Sequence, residues 1–290
     1  MAASPKDFVY VAEDAGEVVG LLLIQQSGRH SVTPTVFVRD DKRRMGIGTA
    51  LLRLLDRLLD DSAYEYAERQ VDAEEGTAAF LQKNGYTRYY TEVMMQRDGT
   101  PIDAEGTTDA ALAQRGLTIR NYSDEDYWAY HNIVGVGFYL MRERIGMLRW
   151  YSPPSEYERQ ELAAGYKNRY VLVENGEVIA VSKINGNDIS LLGVRPDKQG
   201  QGYGTLLLGY WINRIIRERQ ADNITIDTTQ GNPAQRLYQR MGFRQIGQRV
   251  GYIKFCKPDS RPQGPLGYGS EQEILEAFRL HGMLQEEMVP

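Results

Sequence analysis

Leu192-Gly193-Val194-Arg195-Pro196-Asp197-Lys198-Gln199-Gly200-Gln201-Gly202-Tyr203-Gly204-Thr205 runs from an apolar strand through a glycine-rich loop into a segment with apolar residues at helical spacing. Leu208, Trp211, Ile212, Ile215 and Ile216 mark one face of that helix. A strand, such a loop and a helix together make an arrangement that binds phosphates. Glycines let the backbone turn tightly and approach a ligand, while the first amides of the helix point outward unpaired, helped by the helix dipole. A pyrophosphate fits this site. The spacing is not that of a Walker loop, since no Lys-Ser or Lys-Thr follows. It is not the Rossmann fingerprint either, because Thr205 and Leu207 stand where a third glycine would be needed. Only Asp227, at the end of the next strand, still suits a dinucleotide site.

The same pattern occurs 156 residues earlier, as Val36-Phe37-Val38-Arg39-Asp40-Asp41-Lys42-Arg43-Arg44-Met45-Gly46-Ile47-Gly48-Thr49. Downstream of each run a short helical segment ends in glycine and an aromatic, Leu81 to Tyr86 and Tyr238 to Phe243. Two landmarks at nearly constant separation read as two copies of one domain, the period being too long for a solenoid. In each copy a predicted hairpin precedes the loop, with Asp14-Ala15-Gly16 or Glu174-Asn175-Gly176 at its turn. Leu51, Leu52, Leu55, Leu58 and Leu59 give the first copy's helix its buried face. In the second copy a strand at 223–228 leads to a helix started by Asn232 and Pro233 and stopped by Gly242. The polar stretch from Asp98 to Thr108 reads as a linker, and the Pro/Gly-rich stretch from Lys257 to Gly269 as a second boundary. The expected domains are therefore 1–105, 106–258 and a C-terminal linker and helix at 259–290.

Gln/Arg-x-x-Gly-x-Gly after a strand ending Leu-x-Val, followed by Asn232-Pro233-Ala234, Leu237-Tyr238 and Gly242-Phe243, resembles the GNAT superfamily of acyl-CoA-dependent N-acyltransferases. The resemblance covers residues 116–256 well and 7–97 in part. It implies an α/β chain of the α+β type, with two tandem domains, each a mixed, mostly antiparallel sheet flanked by helices. It also implies acetyl-CoA as co-substrate, no metal, and an amine acceptor, either a small molecule or a peptide. Residue by residue, the backbone at Gln199, Gly200, Gln201, Gly202, Tyr203, Gly204 and Thr205 would hold the cofactor pyrophosphate. Leu192, Gly193 and Val194 would pair with the pantetheine arm as an added strand does. Asn232 would hydrogen-bond the cofactor, Tyr238 would protonate the departing thiolate, and Asp188 would act as base toward the amine. Two of these positions keep a second reading. Tyr238 shares a helix face with Leu237 and fits a core aromatic, and Asp188 fits a turn residue in Gly186-Asn187-Asp188.

Aligned on the glycine-aromatic landmark downstream and on the glycine loop upstream, the copies set Leu81 against Tyr238, Glu75 against Asn232 and Val32 against Asp188, none able to substitute chemically. The first copy is thus expected not to catalyse, its loop either binding a CoA or merely retaining a tight turn. Lys42-Arg43-Arg44 reads as a solvated loop. The first copy begins at its hairpin, whereas the second has a strand at 117–120 and a helix started by Ser123, followed by an aromatic segment holding Phe138, Tyr139, Trp150, Tyr151 and Tyr157. Those aromatics with Glu156, Glu158 and Glu161 either receive a cationic amine or pack helices on the sheet. His30, His131 and His281 read as structural. A capping box at Ser270 to Glu273 starts a tail helix expected to cover the first copy's bare sheet face or the groove between domains.

The 290 residues are 42% hydrophobic and 25% charged, which predicts a folded chain. A net charge of −5 offers no basic field for nucleic acid. The single cysteine, Cys256, excludes an intrachain disulfide and a multi-cysteine metal site and fits a reducing cytoplasm. No apolar run approaches the roughly 20 residues of a membrane span, and the acidic start does not read as a secretory signal. The rival from another class is a non-catalytic CoA-binding regulatory module.

Overall fold

The computed structural model of the chain describes residues 8–27, 31–73, 76–102, 106–147, 151 and 154–256. In chain order its elements are β1 (Phe8–Asp14), β2 (Glu17–Gln26), β3 (Ser31–Val38), α1 (Ile47–Asp60), β4 (Tyr66–Asp72), α2 (Thr77–Lys83) and β5 (Thr87–Asp98). Then follow α3 (Asp109–Gln114), β6 (Leu117–Asn121), α4 (Tyr127–Arg144), α5 (Glu156–Ala164), β7 (Arg169–Glu174), β8 (Glu177–Asn185) and β9 (Asp188–Val194). The last are α6 (Tyr203–Arg219), β10 (Asn223–Thr229), α7 (Ala234–Arg240) and β11 (Arg244–Phe255). They form two compact units. The first holds the described residues up to Glu92 together with those from Gly247 onward, and the second holds Val93–Ile246.

The first unit's sheet runs β1-β2-β3-β4-β11-β5, the last strand contributing its first half. Leu51, Leu52, Leu55 and Leu59 of α1 bury against Leu22, Ile24, Val32, Ala67 and Val71, all on one sheet face, while Leu58 stays 36% exposed at the edge of that stripe. Each fully buried leucine is worth about 2 kcal/mol of transfer free energy. Alternation along β3 and β4 sends Val32, Val36, Ala67 and Val71 to this face and Thr33, Glu68 and Gln70 to the other.

The second unit's sheet runs from the later half of β5 through β10, β9, β8 and β7 to β6. Antiparallel ladders join β6 to β9, and β9 meets β10 in parallel. One face packs α6 and α7 through Leu207, Trp211, Ile212, Ile215 and Tyr238. The other packs α4 and α5 through Tyr130, Ile133 and Leu162 on Val171 and Val181. The stretch after Asp98 is anchored, with Gly99 N–H donating to the Asp222 carbonyl at 2.8 Å and Asn213 of α6 holding Ile102 through both its N–H and its carbonyl.

The two sequence copies exchange their final strands. β4 pairs with β11, from Asp72↔Arg249 to Tyr66↔Phe255, so the first unit's sheet contains the last strand of the second copy. Beside β10 lies the end of β5, the last strand of the first copy. The expected tail helix at 270–282 lies outside the described residues, as do His30, Glu75, Trp150 and His281.

Candidate active site

β9 and β10 share a ladder at Asp188↔Thr225 alone, and then diverge. The divergence has a local cause. β8 faces β9 as Ile184↔Ile189 and then Lys183↔Leu191, leaving Ser190 as an extra residue, and such a bulge bends the strand that carries it. Beyond the fork, β9 is paired only toward β8, so Leu192, Gly193 and Val194 present the backbone on their other edge unpaired to an extended ligand.

The fork opens toward the glycine loop. Gly200 and Gly202 have φ of 77° and 91°, with open space where a Cβ would stand, so the backbone conformation and not crowding selects glycine there. Gln199 and Gln201 turn their amides inward, donating to the Val194 and Asp197 carbonyls at 3.0 Å each. α6 starts from Gly202 with no side-chain cap, and its first helical bond is Leu206 N–H to the Gly202 carbonyl at 3.0 Å. The amides of the first turn therefore face outward. The nearby cations are committed elsewhere. Arg195 is bidentate to Asp197 and reaches Glu177, while Lys198 donates to Glu174, which also accepts from the Tyr203 hydroxyl. An anion in this loop would be held by backbone, as the sequence pattern predicts.

Just before α7 the Asn232 Oδ1 accepts from Ala234 N–H at 3.0 Å, and beyond the helix the chain turns away at Gly242 with φ 88°. The Nδ2 of Asn232 donates to nothing among the described residues. Tyr238 is 6% exposed, its ring centroid 6.2 Å from that of Phe243 within the core. Its hydroxyl makes no hydrogen bond among the described residues, and burial pushes the phenol up to about 12. Asp188 follows the two-residue turn Gly186-Asn187 and sits in the crotch of the fork. Its Oδ1 accepts from Thr225 Oγ at 2.8 Å, and its Oδ2 accepts from Ser190 Oγ. The turn position and the fork position are the same place. Thr225 is the partner that sequence reasoning missed, since a threonine in a strand carries no signal of its own.

On the helical side, His131 is buried and bonded at both nitrogens, 2.7 Å from Glu158 Oε2 and 3.0 Å from Tyr151 Oη. Tyr127 donates to the same Glu158 oxygen at 3.0 Å, so that carboxylate is committed to holding α4 and α5 together. Tyr139 and Tyr151 are buried, and Tyr157 is 76% exposed. Buried Arg97 was also missed. It donates to the carbonyls of Asp98, Thr100 and Met241, tying β5 to the end of α7.

The first unit repeats the scaffold in detail. β3 and β4 pair only at Ser31↔Tyr66 and Val32↔Ala67 before they part. Arg39 is bidentate to Asp41 and reaches Glu17, Lys42 pairs with Asp14, and Arg43 Nε donates to the Val38 carbonyl at 3.1 Å, copying Arg195, Lys198 and Gln199. Arg44, at φ 65°, takes the left-handed place of Gly200. Leu81, the counterpart of Tyr238, is buried. One alignment is corrected. β2 and β3 pair without a bulge, so the structural counterpart of Asp188 is Thr33, one residue on from Val32. The mainly antiparallel sheets also remove the dinucleotide reading, which needs a parallel, doubly wound sheet. Among the described residues no group of three or more His, Cys, Asp or Glu is placed to hold a metal ion, and no helix is long and apolar enough to cross a membrane.

Residues 5–88 and 166–245 each match the acetyltransferase (GNAT) domain family. A stretch of 85 residues is 29% identical to the ribosomal protein bS18 alanine N-acetyltransferase of Haemophilus influenzae, covering 28% of this chain and 58% of that relative's length. Among solved structures, the chain is similar to a GCN5-related N-acetyltransferase from Sphaerobacter thermophilus, with a TM-score of 0.59 and 20% identity over 84% of this chain and 78% of that one. It is also similar to a tandem GNAT protein from the clavulanic acid biosynthesis pathway, with a TM-score of 0.58 and 18% identity over 88% of this chain and 84% of that one. Both are likenesses of fold. With two matched segments that together exceed half its length, the chain belongs to the GNAT acetyltransferase family.

Proposed function

We propose that the protein is a cytoplasmic N-acetyltransferase whose active site lies in the second unit and whose acceptor is a primary amine of a small molecule or peptide. The observation that carries this reading is the β9–β10 fork, with an unpaired strand edge leading to an uncapped helix N-terminus. These features fit acetyl-CoA: outward amides from Gln199 to Thr205 for its pyrophosphate, the Leu192 to Val194 edge for its amide-bearing arm, and the Asn232 Nδ2 as a further donor. When bound, the cofactor supplies a thioester carbonyl for the amine to attack.

Asp188 takes the proton that the amine must lose, with its carboxylate held in place by Thr225 and Ser190. Tyr238 delivers a proton to the sulfur as the carbon–sulfur bond breaks. Its hydroxyl is free of protein partners among the described residues, and burial keeps it protonated throughout the neutral range. Release of free thiol in the presence of an amine panel tests the assignment. The panel includes peptides with N-terminal alanine, since the Haemophilus influenzae relative is named for that acceptor. CoA binding by calorimetry with no thiol released for any amine would favour the regulatory-module alternative.

A further inference from the structure

The first unit contains a cavity of about 320 Å3 whose lining includes Thr33, Glu68, Arg69, Gln70, Tyr90 and Gly251. This volume lies at the small end of the range for ligand pockets. Its position is informative. The register that pairs Ser31 with Tyr66 and Val32 with Ala67 next brings Thr33 opposite Glu68, at the point where β3 and β4 part. Through the β2–β3 and β8–β9 registers, Thr33 matches Asp188, and Glu68 matches Thr225. Each fork thus holds one carboxylate and one threonine hydroxyl, but in the first unit the carboxylate comes from the opposite strand.

The lining is charged on both sides. Glu68 accepts a hydrogen bond from Ser27 and has no cationic partner among the described residues, and burial raises its carboxyl above the usual range. Arg69 is rooted on the helical face of β4 beside Ala67 and Val71, yet it lines the cavity, its Nη1 donating at 3.0 Å to the Oγ of Thr35, which shares a strand face with Thr33. Arg69 likewise has no carboxylate partner among the described residues. The other acid nearby is already neutralised, since Glu92 accepts from Arg249 at 3.2 Å and from Gln70 at 2.7 Å. Tyr90 forms a flat wall. Its ring lies where a Cβ on Gly251 would stand, 2.2 Å away, so only glycine at 251 leaves room for it.

We propose that this cavity binds a small zwitterion of the amino-acid class, with Glu68 receiving its ammonium and Arg69 its carboxylate. The site holds its ligand without acyl transfer, because buried Leu81 stands where the second unit has the Tyr238 phenol. The inference does not depend on which amine the second unit acetylates.

The test is titration of the 15N-labelled full chain with glycine, β-alanine and γ-aminobutyrate, which differ in charge separation, and with n-butylamine and butyrate as single-charge analogues. At least one zwitterion should shift the amides of Glu68, Gln70 and Gly251 saturably, and both single-charge analogues should bind at least tenfold more weakly. Glu68→Gln and Arg69→Gln should each raise that Kd tenfold or more, while Glu68→Gln leaves thiol release by the second unit within twofold of wild type. Three results overturn the proposal: no saturable shift with any of the three zwitterions, equal binding of butylamine or butyrate, or an unchanged Kd in either variant. If a variant fails to fold, the comparison of zwitterions with analogues on the wild-type chain still decides.

Discussion

Tyr238→Phe removes one oxygen from a residue that the core otherwise holds by its ring. The hydroxyl makes no hydrogen bond among the described residues, and the ring keeps its contact with Phe243, so the substitution should change stability by less than about 0.5 kcal/mol. The proposed anion site is built from backbone amides between Gln199 and Thr205, and the arm site from the edge of β9. Neither uses the phenol, so CoA affinity measured by calorimetry should stay within twofold. Loss of a positioned general acid typically costs on the order of 10²- to 10⁴-fold in rate. We expect kcat to fall roughly 10²- to 10³-fold, read by continuous thiol release at saturating acetyl-CoA and amine. A phenol held near 12 is protonated at every pH from 6 to 10, so wild-type kcat should show no alkaline decline from this group in that interval. A kcat within threefold of wild type, with melting temperature and CoA affinity unchanged, would refute the assignment of Tyr238 as acid.

Other expectations follow from the same geometry. Gly202→Ala forces a left-handed backbone on a residue with a Cβ, and should cost about 1 kcal/mol by urea titration and weaken CoA binding several-fold. Arg97→Met strips three carbonyls of a buried cationic donor and should destabilise the protein by about 3 kcal/mol, with thiol release per folded molecule retained. Burial raises Tyr122, Tyr127, Tyr130, Tyr210 and Tyr238 to about 12, against about 10 when unfolded. The unfolded chain therefore releases protons first. The stability these phenols contribute is complete below pH 10 and is lost as pH climbs through 12, so the melting temperature should fall across that window and be flat from 7 to 9. Segments 1–105 and 106–256 expressed separately should each be insoluble or unfolded, because each lacks a strand found in its sheet. Coexpression should restore a soluble complex, and a monomeric, cooperatively melting 1–105 would contradict this.

Much of the scaffold was legible because it is written in local chemistry. Left-handed glycines, the Asn232 cap and the amphipathic spacing of α1 depend on a few neighbouring residues, and each was found where the sequence put it. The duplication runs deeper than the glycines suggest. Both loops are braced by the same arginine clamp and the same lysine–carboxylate pair, and both hairpins carry the same register shift, between Ala12 and Glu13 and between Leu172 and Val173. The strand exchange was not legible. β5 and β11 alternate polar and apolar residues in the same way whichever sheet they join, so their pairing is decided by tertiary contacts alone. Glu158 looked available for a cationic ligand because the sequence could not place His131 and Tyr127 beside it.

The one-residue error in matching the copies shows what separates the two forks. The loops fold alike even though Arg44 replaces a glycine at positive φ, a substitution that costs about 1 kcal/mol and persists because the clamp on Arg39 and the bond from Arg43 over-determine the turn. Loop shape therefore does not distinguish the copies. The bulge does. In β3, strict alternation sends Val32, Pro34 and Val36 to the helical side and leaves Thr33 at the fork. In β9 the extra residue Ser190 resets the alternation, so that Ile189 and Leu192 both pack toward α6 while Asp188 is left on the opposite side with Ser190 beside it. One of the two hydroxyls that orient the Asp188 carboxylate belongs to the inserted residue itself, the other to Thr225. Deleting Ser190 would remove that hydrogen bond and the bulge together, whereas Ser190→Ala would remove only the bond, so comparing the two separates positioning of the carboxylate from opening of the fork.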